Sequence, residues 1–184
     1  SRGDRIGLVG RNGAGKTTTL RILAGQDSPD TGEVIYCHGA KIGYFAQEHD
    51  TLDETATVLE NLQHVAPQLD DTHTRAILGS FLFSGDDAFK PTSVLSGGEK
   101  TRLALATLVT SGANVLLLDE PTNNLDPASR EEILKAIARY EGAIVLVTHD
   151  EGAVKALNPE RVLLLPDGDE DLWDDGYLDL VAEE

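Results

Sequence analysis

A short apolar run, RIGLV at residues 5–9, stops at Gly10 and gives way to GRNGAGKT before the amphipathic stretch TTTLRILAG. The order apolar strand, glycine-rich loop, helix constrains the chain more than any other feature. A strand that apolar must be covered, and a helix that follows it directly packs back onto the sheet as half of a βαβ unit. The remaining strands must then run parallel to it. VLLL (Val115–Leu118) and IVLV (Ile144–Val147) are apolar without alternation, as central parallel strands buried on both faces are. Further strands are expected at Val34–Tyr36, Lys41–Phe45 and Arg161–Leu165, with helices over Gly97–Thr110, Ala128–Tyr140 and Glu151–Leu157. The expected class is α/β, a mostly parallel sheet flanked by helices.

Between Thr51 and Val94 the pattern changes. Val58, Leu59, Leu62 and Val65, then Ala76, Ile77, Leu78, Phe81 and Leu82, recur at helical spacing with no strand signal. The chain therefore divides into residues 1–50 (first part of the α/β core), 51–95 (an inserted helical subdomain), 96–166 (second part of the core) and 167–184 (an acidic end). The net charge is −17, and nine of the 32 acids but none of the 15 bases fall in Asp167–Glu184, leaving −8 for the rest. An acidic field repels phosphate backbones, so this domain by itself is a poor nucleic-acid binder. In the acidic end, Trp173, Tyr177 and Leu180 are expected to pack a short helix back on the sheet, the remainder being solvated surface. No apolar run is long enough to span a membrane, and Ser1–Gly10 lacks the pattern of an export signal, so a cytoplasmic protein is expected. The single cysteine, Cys37, fits a reducing compartment. The absence of methionine and a start inside an element suggest a piece of a longer polypeptide.

Gly10–Thr17 matches G-x-x-x-x-G-K-[ST] between a strand and a helix, the context its chemistry needs. The loop of Gly10, Arg11, Asn12, Gly13, Ala14 and Gly15 turns backbone N–H groups towards phosphate oxygens. Lys16 adds a point charge, Thr17 offers a hydroxyl to Mg²⁺, and Thr18 continues the helix N-terminus. VLLLDE ends a buried strand in two carboxylates at the edge where open α/β sheets place ligands. Asp119 is the candidate Mg²⁺ ligand and Glu120 the candidate general base for an attacking water, while a turn cap enforced by Pro121 is the alternative for either acid. Ser96, Gly97, Gly98 and Glu99 read as a capping box, and a capped helix start with two glycines in front is also an anion site. His38, His49, His64 and His73 have no metal-ligand spacing.

These segments, in this order, resemble the ATP-binding cassette proteins across essentially the whole chain: the phosphate loop 10–17, Gln47 after YFA, LSGGE at 95–99, VLLLDEPT at 115–122, NNLD at 123–126 and His149 after IVLVT. The resemblance implies a P-loop NTPase fold, the cassette nucleotide-binding domain, with ATP and Mg²⁺ as cofactors. It further implies that Gln47 contacts Mg²⁺ and the attacking water, that Asp126 makes a dimer contact, and that His149 is the switch at the γ-phosphate. Ser96, Gly97, Gly98 and Glu99 would then act in trans on a nucleotide held by a second cassette.

LSGGEKTRLALA with DEPTNNLD, KIGYFAQEHDTLDETATVLENL and DLWDDGYLDL is similar to the ABC-F group, its C-terminal cassette in particular. That group implies two cassettes in one chain and action on the ribosome. Asn124, where the group usually has His, and THDEGAV, which lacks its usual Arg and aromatic, are departures. The alternatives are the ATPase subunit of a membrane transporter and a nucleotide-binding module without turnover. The family also stacks adenine on an aromatic upstream of the phosphate loop, and no aromatic precedes Gly10, so weakened base recognition is expected.

Overall fold

A computed structural model of the chain describes residues 5–9, 16–24, 40–45, 52–159, 161–164 and 169–182. The expected strand Val34–Tyr36, the loop Gly10–Gly15, Gln47, Cys37, His38 and His49 lie outside the described residues. Strands β1 (Arg5–Val9), β2 (Ile42–Phe45), β3 (Val115–Asp119), β4 (Ala143–Val147), β5 (Arg161–Leu164) and β6 (Asp169–Leu172) form one sheet in the order β2-β3-β4-β1-β5-β6. All neighbours pair in parallel except β5 with β6. The parallel class expected from the apolar strands is therefore the observed one.

Register decides which ends meet. Val115 pairs with Ala143 and Asp119 with Val147, while Gly7 of β1 pairs with Leu146. The carboxyl ends of β1, β3 and β4 thus share one edge of the sheet. Along β3 and β4 successive side chains face opposite ways. Leu116, Leu118, Ile144 and Leu146 join the main core, and Leu117 and Val147 pack with Leu20 of α1 (Lys16–Leu23) on the other face.

The segment 52–95 holds α2 (Val58–Val65), α3 (Asp71–Ser80) and two short 3₁₀ turns at 85–89 and 92–94. Thr57 caps α2 in a reciprocal capping box with Glu60, and Asp70 caps α3 through the His73 amide. Both helices turn their apolar stripe towards α4 (Gly97–Thr110). Val58, Leu59, Leu62, Leu78, Phe81 and Phe83 belong to the same buried cluster as Leu103, Leu105, Leu116 and Ile133. Asn61 lies buried within this layer and is satisfied there: it donates to Thr92 Oγ1 at 2.8 Å and to the Asp53 and Thr57 carbonyls, and accepts from the Asp53 amide. Helices α5 (Pro127–Arg139) and α6 (Glu151–Leu157) cover the same face of the sheet.

The acidic end departs from expectation. Asp169–Leu172 forms edge strand β6 against β5, although DEDL carries no strand-like apolar pattern; pairing to β5 supplies what the side chains do not. Acids on an outer strand also discourage further edge pairing. A 3₁₀ turn at Asp175–Tyr177 leads into α7 (Leu178–Ala182), where Val181, with Trp173, Tyr177 and Leu178, packs on Val154 of α6, and Trp173 and Val181 line a small cavity with Gly7 of β1 and Leu146 of β4. The Leu180 side chain lies outside the described residues.

Leu62 is fully buried between the helical segment and α4. Leu62→Ala is expected to cost about 2–5 kcal/mol through the lost transfer energy and the cavity left behind. Urea unfolding followed by far-UV and near-UV signals checks it. A shared core predicts one transition in both signals, whereas an independent helical unit would give two.

Candidate functional site

The site forms where β3 and β4 end. Glu120 follows β3 directly, and its amide donates to the Val147 carbonyl at 2.8 Å, one bond beyond the parallel ladder. Its φ is +50°, a left-handed conformation that costs a non-glycine residue of the order of 1–2 kcal/mol. The bond to Val147 and the fixed ring of Pro121 hold it there. In this conformation the side chain turns back across the strand ends, and Glu120 Oε1 lies 2.8 Å from His149 Nε2. The His149 amide also donates to Glu120 Oε2 at 3.2 Å. Both side chains are largely buried, 18% exposed for Glu120 and 29% for His149.

His149 Nδ1 lies 3.2 Å from the carbonyl of Val181 in α7. The two ring nitrogens therefore face a carboxylate and a carbonyl, both acceptors. Such a ring fills both contacts only while it carries two protons, unless the carboxyl group provides the proton itself. The acidic end consequently takes part in orienting His149, a role that its composition does not reveal.

A cleft of about 210 Å³ opens between Glu120 and the start of α4, lined by Phe45, Gly97, Thr101, Pro121 and Asn124 among others. Ser96 caps α4 in a full capping box: its hydroxyl accepts from the Glu99 amide at 3.2 Å, and Glu99 Oε1 accepts from the Ser96 amide at 3.0 Å. The capping-box reading of this segment is thus observed. The two glycines have different surroundings. A Cβ on Gly97 would meet open space, whereas one on Gly98 would lie 2.5 Å from Asp126 Oδ1 and 3.0 Å from Ser129 Oγ. Gly98 is required by its surroundings, and among the described residues no neighbour requires Gly97.

Asp126 caps α5, accepting from the Ser129 amide at 3.1 Å, and hydrogen bonds from Ser129 hold its carboxyl below the usual range. Asn124 has φ +59°, a conformation that asparagine enters at less cost than most residues. Lys16, Thr17 and Thr18 begin α1, though their side chains lie outside the described residues. Since α1 rests on β3 through Leu20 and Leu117, the start of this helix and Asp119 lie at the same edge of the sheet.

Sequence reasoning missed Asp150 and Arg130. Asp150 caps α6, and its carboxylate accepts five hydrogen bonds. Its Oδ1 accepts from Gly152 N at 2.8 Å, Ala153 N at 3.3 Å and Arg130 Nη2 at 2.7 Å. Its Oδ2 accepts from Arg130 Nε at 2.8 Å and Thr122 Oγ1 at 2.9 Å. Arg130 above all holds the Asp150 carboxyl down to about 2, against the opposing effect of burial. The aspartate before an apolar helix was a readable cap signal. Its partner 20 residues upstream was not.

Comparisons with known proteins identify the family and the fold. The ABC transporter family model matches residues 1–123. The chain is 44% identical over 163 residues to the probable ATP-binding protein YheS of Escherichia coli O6:H1, covering 88% of this chain and 26% of that protein. It is 46% identical over 150 residues to the putative ATP-binding protein YdiF of Bacillus subtilis, covering 82% and 23%. The ATP-binding cassette MJ0796, solved as a dimer in a post-hydrolysis state with ADP and Pi, superposes with a TM-score of 0.74 at 25% identity, covering 94% of this chain and 86% of that one. The chain belongs to the ABC transporter family, as one of its ATP-binding cassettes, and its relatives include proteins of the ABC-F type. It spans about a quarter of the length of the curated relatives it matches. Among the described residues no helix is long and apolar enough to cross a membrane.

Because the Asp150 pKa falls from an ordinary 3.8 to about 2 on folding, its bonds stabilise the fold above pH 4, and that contribution disappears as pH falls through 2. Asp150→Asn is therefore expected to cost ~2 kcal/mol at neutral pH, with the difference from wild type shrinking below pH 4. Urea titrations at pH 7, 5, 4 and 3 measure both quantities, and a difference independent of pH would remove the charge from the explanation.

Proposed function

We propose that this chain is an ATP-hydrolysing cassette of an ABC-F type protein, closing head to tail with a second cassette as an ATP-driven switch on the ribosome. The contact between Glu120 and His149 carries the hydrolysis part of this reading. A carboxylate suited to accept a proton from water sits at the carboxyl edge of a parallel sheet, oriented by a histidine from the adjacent strand. Support for the pairing comes from α4, whose capped N-terminus, with Gly97 in front of open space, suits a phosphate from another molecule.

Gly10–Thr18 are assigned to the nucleotide phosphates, with Lys16 as the charged contact. Hard oxygen donors suit Mg²⁺, which keeps several waters and takes few protein ligands. Thr17 and Asp119 are assigned as such donors, and Gln47 is assigned to the ion and the attacking water. Mg²⁺ would neutralise charge on the phosphates. Glu120 receives the proton of the attacking water, and His149 orients Glu120 and faces the γ-phosphate. Ser96, Gly97, Gly98 and Glu99 act on the partner's nucleotide, and Asp126 lies at the closed interface. Residues 51–95 form the helical subdomain, between the two parts of the α/β core at 1–50 and 96–166, with 167–184 as the acidic end. The protein acts in the cytoplasm, and its contacts with RNA are left to parts outside this acidic domain.

Glu120→Gln in the full-length protein is expected to lower steady-state ATP hydrolysis at least 100-fold while ATP binding stays within about threefold, and to retain the protein on ribosomes in co-sedimentation. Stimulation of the wild type by ribosomes supports the ABC-F reading. Stimulation only in membranes with a co-purifying membrane protein supports the transporter reading instead, with the same chemistry.

A further inference from the structure

The parallel ladder between β3 and β4 ends at Asp119 and Val147, and Glu120 and His149 stand on the separate turns beyond it. Beside their own contact and the bond from the Glu120 amide, the Asp150 carboxylate ties these turns together. Asp150 directly follows His149, and Thr122, which donates to Asp150 Oδ2, stands two residues after Glu120. Arg130 of α5 grips the same carboxylate with two donors, Nε on one oxygen and Nη2 on the other. A bidentate fork fixes the plane of a carboxylate as well as its position. The fork leaves Oδ1 aimed at the Gly152 and Ala153 amides of α6 and Oδ2 aimed at Thr122. Space is kept for it: a Cβ on Gly152 would clash with Arg130 Nη2.

We propose that Arg130 and Thr122 are positioning residues for hydrolysis, acting through Asp150 to hold the turns of Glu120 and His149 in register. This inference rests on the ATPase reading above. Arg130 touches neither Glu120 nor His149 in the structure; it sets the carboxylate on which the His149 turn is built. Arg130 sits in the first turn of α5, the helix capped by Asp126 beside Gly98. The same helix therefore runs from the segment assigned to the partner's nucleotide to the clamp behind this cassette's own catalytic pair.

The test uses the full-length protein with Arg130→Ala, Arg130→Lys, Thr122→Val and the double variant Arg130→Ala/Thr122→Val. Arg130 is half-exposed, so its loss leaves the core intact. Arg130→Ala is expected to lower kcat about tenfold while KM and ADP affinity stay within twofold, because misplacement of a reacting group acts on the transition state. Arg130→Lys should recover part of kcat but not all, as an ammonium cannot reproduce the fork. Thr122→Val should lower kcat without adding its full effect to Arg130→Ala, since both act through one carboxylate. An Arg130→Ala protein with wild-type kcat overturns the inference, and so does a fall in ADP affinity in step with kcat, whereas a lower melting temperature is expected from the loss of the Asp150 bonds. A wild type that hydrolyses no ATP overturns the ATPase reading, and the clamp with it.

Discussion

Parallel pairing of β3 and β4 is the constraint on which the rest depends. Because both strands run the same way, and because their register sets Asp119 opposite Val147, two turns must leave the sheet side by side. Antiparallel pairing would have put one of them at the far edge. Placed together, the turns bring an acid and a histidine 29 residues apart in the chain into hydrogen-bond contact. The chemistry follows from the topology, and the buried leucines and valines of the two strands hold that topology in place.

Function is built on this edge by local departures from regular structure. Glu120 occupies a left-handed conformation, so that its side chain turns towards β4 instead of continuing the strand's alternation. Strain of this kind persists only where the surroundings enforce it, and here the Val147 carbonyl, Pro121 and the contact with His149 do so. His149 is in turn held on its other side by the Val181 carbonyl. A segment that composition marks as solvated surface thus reaches the centre of the site.

The helical layer is coupled to the same core. Arg102 of α4 is nearly buried; it donates to Ser129 Oγ of α5 and to the Phe81 carbonyl at the end of α3, and lies over the Phe83 ring. A charged group at that depth needs each of these partners. Its bonds tie α4 to α5 on one side and to the helical segment on the other. Movement of the helical layer relative to the sheet would have to carry α4 with it or break these contacts.

Most elements and the chemical inventory were readable from local sequence. Nearly uniform apolar runs marked β3 and β4 as central parallel strands, and the cap signal at Ser96 marked the start of α4, because strand burial and helix capping act over a few neighbouring residues. Asp119 and Glu120 were legible as candidates from their place at a strand end, and His149 through the resemblance to the cassette family. Only the tertiary structure decided which of them touch: the contact from Glu120 to His149, the Arg130 fork on Asp150, the Val181 carbonyl at the His149 ring and the pairing of the acidic β6 all join residues distant in sequence or lacking any apolar pattern of their own. Local periodicity holds no record of such pairs, whose geometry is set by the register and packing of the folded chain.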